Sequence, residues 1–394
     1  MTAAEKPPAG APGVTSSGTR PPSGTRPSSG ARPVFLGSGR IGFRLHPRTV
    51  KVSLLALLVS ALLLAAGLCM GAYQVSPGDV ARAVFFGTGE RLAVFFVNQE
   101  RLPQALLAIL VGCALGVSGA VFQSISRNPL ASPDVIGFNS GAATGAIAVI
   151  VVAGDGAAPV ALGAITGGLV TAAVVFLLAS KGGLHGVRIV LIGLGVTAML
   201  GSVNSYLLTR AALNNAQSAH VWMIGTLNGR TWGSVQAMAI ALCVLLPAAA
   251  FLGRQLRMLE LGDELAAGLG VPVGRARIAL TLIGIGLCGM AVASAGPVPF
   301  IALAAPQVAA LLARPPGVSL LAAGAVGAAL LSAAHLLSGQ FFLIGAWVGE
   351  RVPWLAVVDE SRRNSQLPVG VTTAVLGGVY LAWVLFRRRG TGRA

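Results

Sequence analysis

Glu260, Asp263 and Glu264 fall within five positions of one another in the stretch LELGDELAAGLG (Leu259–Gly270), and they are three of only twelve acidic residues in a chain of 394. Reactive side chains this scarce bound the chemistry. The four cysteines, Cys69, Cys113, Cys243 and Cys288, each sit in an apolar run without C-x-x-C spacing, so they read as small core side chains rather than a metal or disulfide framework. His220 and His335 are isolated, which suits satisfied structure better than metal ligation. The lysines, Lys6, Lys51 and Lys181, lie in no GxxxxGK[ST] phosphate loop, so nucleotide hydrolysis is not this chain's chemistry. What remains for the clustered carboxylates is electrostatics. Asp263 and Glu264 suit the positive end of a short helix, Gly270 suits its stop, and Leu256, Leu259, Ala266 and Leu269 fall near helical spacing. A short, exposed, rigid amphipathic element is something a cytosolic partner can hold. An amphipathic connector lying on a membrane surface is the alternative.

The elements that position this stretch belong to a membrane. Hydrophobic residues make up 55% and charged residues 10%, against about 25% charged in soluble domains. Mean hydropathy is +0.79, and 53 glycines allow close helix approach where lipid gives no hydrophobic drive between helices. Ten stretches approach the roughly 20 apolar residues a crossing needs: Val52–Tyr73, Leu102–Ile125, Val135–Gly154, Pro159–Ser180, Val187–Leu208, Ser234–Gly253, Ile278–Val298, the short Phe300–Ala313, Val318–Leu337 and Val369–Phe386. With both termini cytoplasmic, 20 of the 28 lysines and arginines fall inside, as the positive-inside rule requires. Counting Phe341–Val358 as an eleventh span would place Arg387–Arg389 outside, so it is excluded. The net charge of +16 is therefore membrane-topological, and no nucleic-acid partner is expected. Residues 1–48 repeat SG(T/A)RP and are expected to be a disordered basic cytoplasmic tail. Residues 49–389 form the membrane domain, 390–394 a short tail, and 254–277 a cytoplasmic loop carrying the acidic cluster. No span centres on Asp, Glu, Lys or Arg, which proton- or voltage-driven carriers usually need. If the chain pumps, its energy comes from a partner.

Several motifs resemble the iron–siderophore and cobalamin ABC importer permeases. LELGDELAAGLGVPVGRAR (Leu259–Arg277) resembles the coupling loop of that family. RLPQALLAILVGCALGVSGAVFQSISRNPLASPDVIGFNSGAATGA (Arg101–Ala146) is similar to its RLPR…NPLAxPxxLGxxxGA signature, VWMIGTLNGRTW (Val221–Trp232) to its WxxGSLxGxxW stretch, AGPVPFIALAAPQVAALL to its AGPIxFVGLxxPHxAR segment, and LPVGVTTAVLGGVYLAWVL to its final span. The resemblance covers about residues 50–386. It implies an all-α fold, a polytopic type II ABC importer permease of ten transmembrane helices in pseudo-inverted halves. It also implies a multi-pass cytoplasmic-membrane protein that is no enzyme. Two ATP-binding cassette subunits would carry the ATP and magnesium, this chain holding no cofactor and no metal. A second permease subunit would complete a dimer. An extracytoplasmic siderophore-binding protein would deliver the cargo. By the same resemblance Leu261, Gly262, Asp263, Glu264, Ala266, Leu269 and Gly270 dock into the ATPase, and Arg101 meets an acid on the binding protein. Gly193, Gly195, Thr197, Ser202 and Asn204 line the path. Asn128, Pro129 and Leu130 form a turn after span two, Pro129 forcing Asn128 out of helix. The TLNGRTW form is similar to the second member of catecholate-siderophore permease pairs, which implies a heterodimer; a homodimer stays open.

Three departures bear on recognition. Gln104 stands where the family has its second docking arginine; Pro306–Ala310 lacks the family's histidine and arginine; and Ala334–His335 is followed by an atypical extracytoplasmic insert at 338–367. Arg351, Arg362 and Arg363 of the insert are candidates to replace the missing docking charges, and a loop resting on the outer surface is the alternative. A cobalamin or haem importer, a self-sufficient secondary transporter and a non-transporting scaffold paralogue are the other functions the sequence leaves open.

Overall fold

The computed structural model describes residues 34–36, 43–71, 73–134, 137–154, 156–180, 186–314, 317–351 and 366–391. The architecture is all-helical apart from one short antiparallel ladder, β1 (Val34–Leu36) with β2 (Phe43–Leu45). That ladder lies in the stretch expected to lack structure; residues 1–33 and 37–42 lie outside the described residues.

The outer helices come first: α1 (Pro47–Cys69), α2 (Pro77–Phe86), α3 (Arg91–Phe95), then a wide π-turn at Phe96–Arg101 that feeds α4 (Leu102–Ser126). Next are α5 (Phe138–Ala153), α6 (Ala157–Ser180), α7 (Gly186–Arg210), α8 (Leu213–Ile224) and α9 (Trp232–Phe251). Two short helices, α10 (Gly253–Glu260) and α11 (Asp263–Gly268), precede α12 (Val273–Ala295), α13 (Ile301–Ala313), α14 (Leu320–Arg351) and α15 (Val369–Thr391). Among the described residues seven helices are long and apolar enough to cross a membrane. Three shorter apolar helices, Phe138–Ala153, Ile301–Ala313 and Val369–Ala382, stand where the other crossings are expected. The chain is polytopic; a count of ten requires those three to span as well.

Small residues hold the bundle together. A Cβ at Gly112 would overlap the carbonyl of Gly327, one at Gly116 that of Ala323, and one at Gly119 that of Ala302. These contacts press α4 backbone-to-backbone against α14 and α13. Gly145 and Gly163 do the same for α5 and α6. Close approach of this kind gains dispersion contacts that lipid-like side chains between the helices would prevent. Leu107, Leu115, Ile147, Leu287 and Leu331 fill what lies between and are fully buried.

Two boundaries differ from the sequence reading. α1 starts at Pro47 instead of Val52, because proline at the first position has the right φ and no N–H to leave unpaired. α14 does not stop at Leu337: it continues through 338–351, the first half of the expected insert. The rest of the insert, 352–365, lies outside the described residues.

Candidate functional site

The acidic stretch folds into two helices with a break at Gly262, whose φ of 115° only glycine adopts without strain. Leu256 and Leu259 of α10 and Ala266 of α11 point inward, packing with Val121, Val271, Ala276 and Leu280. Outward stand Leu261, just before the break, and Leu265 and Leu269 beyond it, each about 60% exposed, and together they make an apolar stripe on this segment. Glu264 is exposed beside them. Asp263, in the first turn of α11, accepts two contacts from Nη2 of Arg277 at 2.8 and 3.0 Å, which fixes α11 to the start of α12. Gly270 takes φ 81° and ends the helix as expected, with Val271 N–H donating to the carbonyl of Ala266 at 3.0 Å.

The set read for ATPase contact is thus divided. Leu261, Glu264, Leu269 and Gly270 are exposed, while Ala266 is wholly buried and anchors the helix instead. Gly262 and Asp263 hold the shape. Leu265 belongs to the exposed stripe and was missed because the break at Gly262 resets the helical phase.

The turn after α4 begins one residue earlier than Pro129 alone implies. Arg127 takes a left-handed cap (φ 49°, ψ 33°), so the helix has ended before Asn128. Asn128 Oδ1 then accepts from Leu130 N–H at 2.9 Å, and the Pro129 carbonyl accepts from Gln307 Nε2 at 2.6 Å. Tyr380 donates to Gln307 Oε1 at 3.1 Å. Gln307, which replaces the family's histidine, therefore ties this turn to α13 and α15.

Arg101 has work inside the chain. Its Nη1 donates to Leu68 O at 2.8 Å and its Nη2 to Tyr73 O at 2.5 Å, closing the open end of α1. Gln104 is buried behind it. Both line a cavity of about 110 Å³ that also receives Ser332 and His335, whose Oγ and Nδ1 have no hydrogen-bond partner among the described residues. Arg351 closes α14; Arg362 and Arg363 lie outside the described residues.

The five expected path residues on α7 face two ways. Gly195 and Ser202, seven apart, are exposed on the same side as Met199 and Tyr206. Gly193, Thr197 and Asn204 turn inward or partly so, with Gly193 and Thr197 bounding the space beside Gly137. The Asn204 Oδ1 is buried without a partner. Among the described residues no group of three or more His, Cys, Asp or Glu side chains gathers.

Motifs far apart in the chain meet in space. Thr226 N–H donates to Ala295 O at 2.8 Å and Gly370 N–H to Gly225 O at 3.0 Å. These bonds join the VWMIGTLNGRTW, AGPVPF and LPVGV stretches, and a Cβ on Gly225 would strike the backbone of Pro297.

A glycine-packed membrane bundle with a short, tethered helix presenting leucines between two spans has the build of a membrane transport subunit. The family model FecCD, described as the FecCD transport family, matches residues 57–350. The chain belongs to the FecCD transport family. It is 42% identical over 333 residues to the ferric enterobactin transport system permease protein FepG of Escherichia coli, covering 84% of this chain and 94% of that protein. It is 35% identical to the achromobactin transport system permease protein CbrC of Dickeya dadantii, covering 89% and 95%. A solved inward-facing metal-chelate type ABC transporter matches with a TM-score of 0.69 at 23% identity, over 86% of this chain and 99% of that one, a likeness of fold.

Proposed function

We propose that this chain is the permease subunit of a binding-protein-dependent ABC importer carrying a ferric siderophore across the cytoplasmic membrane. The observation that carries this reading is the exposed stripe Leu261, Leu265 and Leu269, on and beside α11, which Asp263–Arg277 and buried Ala266 hold in place. An element that is apolar, exposed and fixed at its base suits transmission of force from a partner. Two ATP-binding subunits hydrolyse ATP and push α11; a second permease subunit, as a heterodimer, covers the open face of α7; and an extracytoplasmic binding protein delivers the chelate. Both termini are cytoplasmic, with ten crossings. Transport is alternating access, the two permease subunits tilting about a shared path, and the chain itself makes and breaks no covalent bond. The ferric catecholate class is favoured by likeness to the Escherichia coli ferric enterobactin permease.

The test is uptake of radiolabelled iron as ferric enterobactin, haem or cobalt-labelled cobalamin by vesicles holding the whole complex. Saturable, ATP-dependent uptake of ferric enterobactin alone supports the proposal. Uptake of haem or cobalamin in its place reassigns the cargo, and no uptake of any supports the scaffold alternative.

A further inference from the structure

Glu260 is the last residue of α10 and stands immediately before the exposed stripe. Its carboxylate is not left to solvent. Oε1 accepts from the Ser124 hydroxyl at 2.8 Å, in the final turn of α4, and from the Val318 N–H at 3.3 Å. Oε2 lies 3.4 Å from the same N–H. Val318 leads into α14, whose N-terminal end carries partial positive charge, so a carboxylate there is electrostatically well placed. The preceding residue is built for this approach: Gly317 takes φ 91°, and a Cβ on it would come within 2.8 Å of Glu260 Oε2. One side chain thus joins three elements that are 136 and 58 positions apart in the chain.

What lies beyond the clasp gives it consequence. α4 and α14 are pressed backbone to backbone through Gly112, Gly116 and Gly327. Asp263–Arg277 already connects α11 to α12, its own continuation in the chain. Among the described residues Glu260 supplies the hydrogen bonds from this block to the α4–α14 pair; the apolar contacts are those of Val121 and Ile125 of α4 and Leu320 of α14 with the cluster around Leu256 and Leu259. Apolar packing resists separation but is non-directional, so it does not by itself fix the register of the block against α4 and α14. Hydrogen bonds to a charged carboxylate are directional and short-ranged. Beside the clasp a cavity of about 260 Å³, bounded by Glu260, Pro306, Ala310 and Ser319, leaves room for the segment to move.

We propose that Glu260 is the positioning residue that hands displacement of the α10–α11 block to α4 and α14, so that ATP hydrolysis is coupled to opening of the path. This rests on the functional reading above, in which a partner pushes α11. Glu260 touches no cargo; it acts through Ser124 and Val318.

The experiment measures ferric enterobactin moved per ATP hydrolysed, in vesicles holding the whole complex, for wild type, Glu260→Gln, Glu260→Ala, Ser124→Ala and the double variant Ser124→Ala/Glu260→Ala. Glutamine keeps an oxygen to accept both bonds, and its ratio should stay within about threefold of wild type. Alanine at 260 should lower the ratio about tenfold while ATP hydrolysis continues, in line with loss of hydrogen bonds to a charged group. Ser124→Ala should lower it less, and the double variant no further than Glu260→Ala. A merely structural role would reduce assembled complex and both rates together, leaving the ratio unchanged. An unchanged ratio in Glu260→Ala, or in Ser124→Ala if the former does not assemble, overturns the latch while wild-type transport still upholds the functional reading. A wild type that moves no ferric enterobactin overturns the reading and the latch with it.

Discussion

Asp134 sits half-buried in the connection between α4 and α5, receiving a hydrogen bond from Asn139 Nδ2. The protein around its carboxyl pushes its pKa from the ordinary 3.8 up to about 7, and the Asn139 bond opposes this only in part. The sign follows from proton linkage: the folded chain holds this proton where the unfolded chain has lost it, so the contribution to stability falls as pH rises from about 4 to 7. Asp134→Asn removes that dependence. The variant should melt a few degrees above wild type at pH 8 relative to its offset at pH 5. Equal offsets at both pH values, read by thermal unfolding in detergent, would contradict it. Asp134 stands outside every apolar helix, so nothing in the local pattern marks it as partly buried. Leu265 and Ala266 make the same point differently. Their neighbours were legible from composition, but which of the two faces outward depends on a helix break at Gly262 whose φ no residue count reveals.

At the scale of elements, the close seams are the most fragile feature. Gly119 lies against the Ala302 backbone with no space for a side chain. Gly119→Val should force α4 from α13 and lower the yield of folded protein several-fold, whereas Gly195→Ala, with open space around it, should leave yield unchanged. Small-to-large changes in close-packed cores cost about 1–3 kcal/mol or more. Fluorescence-detected size-exclusion of tagged variants reads both, and equal yields would contradict the account. Apolar stretches located most helices well, since a run of roughly 20 apolar residues is a strong signal. The end of α14 was less legible. Glu350 and Arg351 interrupt the apolar run, but charge does not stop a helix, and α14 runs through both.

At the scale of the whole molecule, the exposed side of α7 and the stripe on and beside α11 are two apolar surfaces of one bundle. The first suits a second permease subunit and the second an ATP-binding subunit, which is why the chain reads as one part of a larger machine. Motif order in the sequence already carried the family, because NPLASPDVIGFNSGA, LELGDELAAGLG and LPVGVTT follow one another across most of the chain. How Thr226, Ala295 and Gly370 join did not, since backbone bonds across 69 and 145 positions leave no trace in local pattern. The measurement that tests the central claim most directly is gentle purification of the tagged chain, with mass spectrometry of what comes with it, for wild type beside Leu265→Glu. Leu265 is exposed, so the substitution leaves the fold intact. The account predicts an ATP-binding subunit with wild type and its loss from the variant. A chain that purifies alone, or a partner retained equally by both, would contradict it.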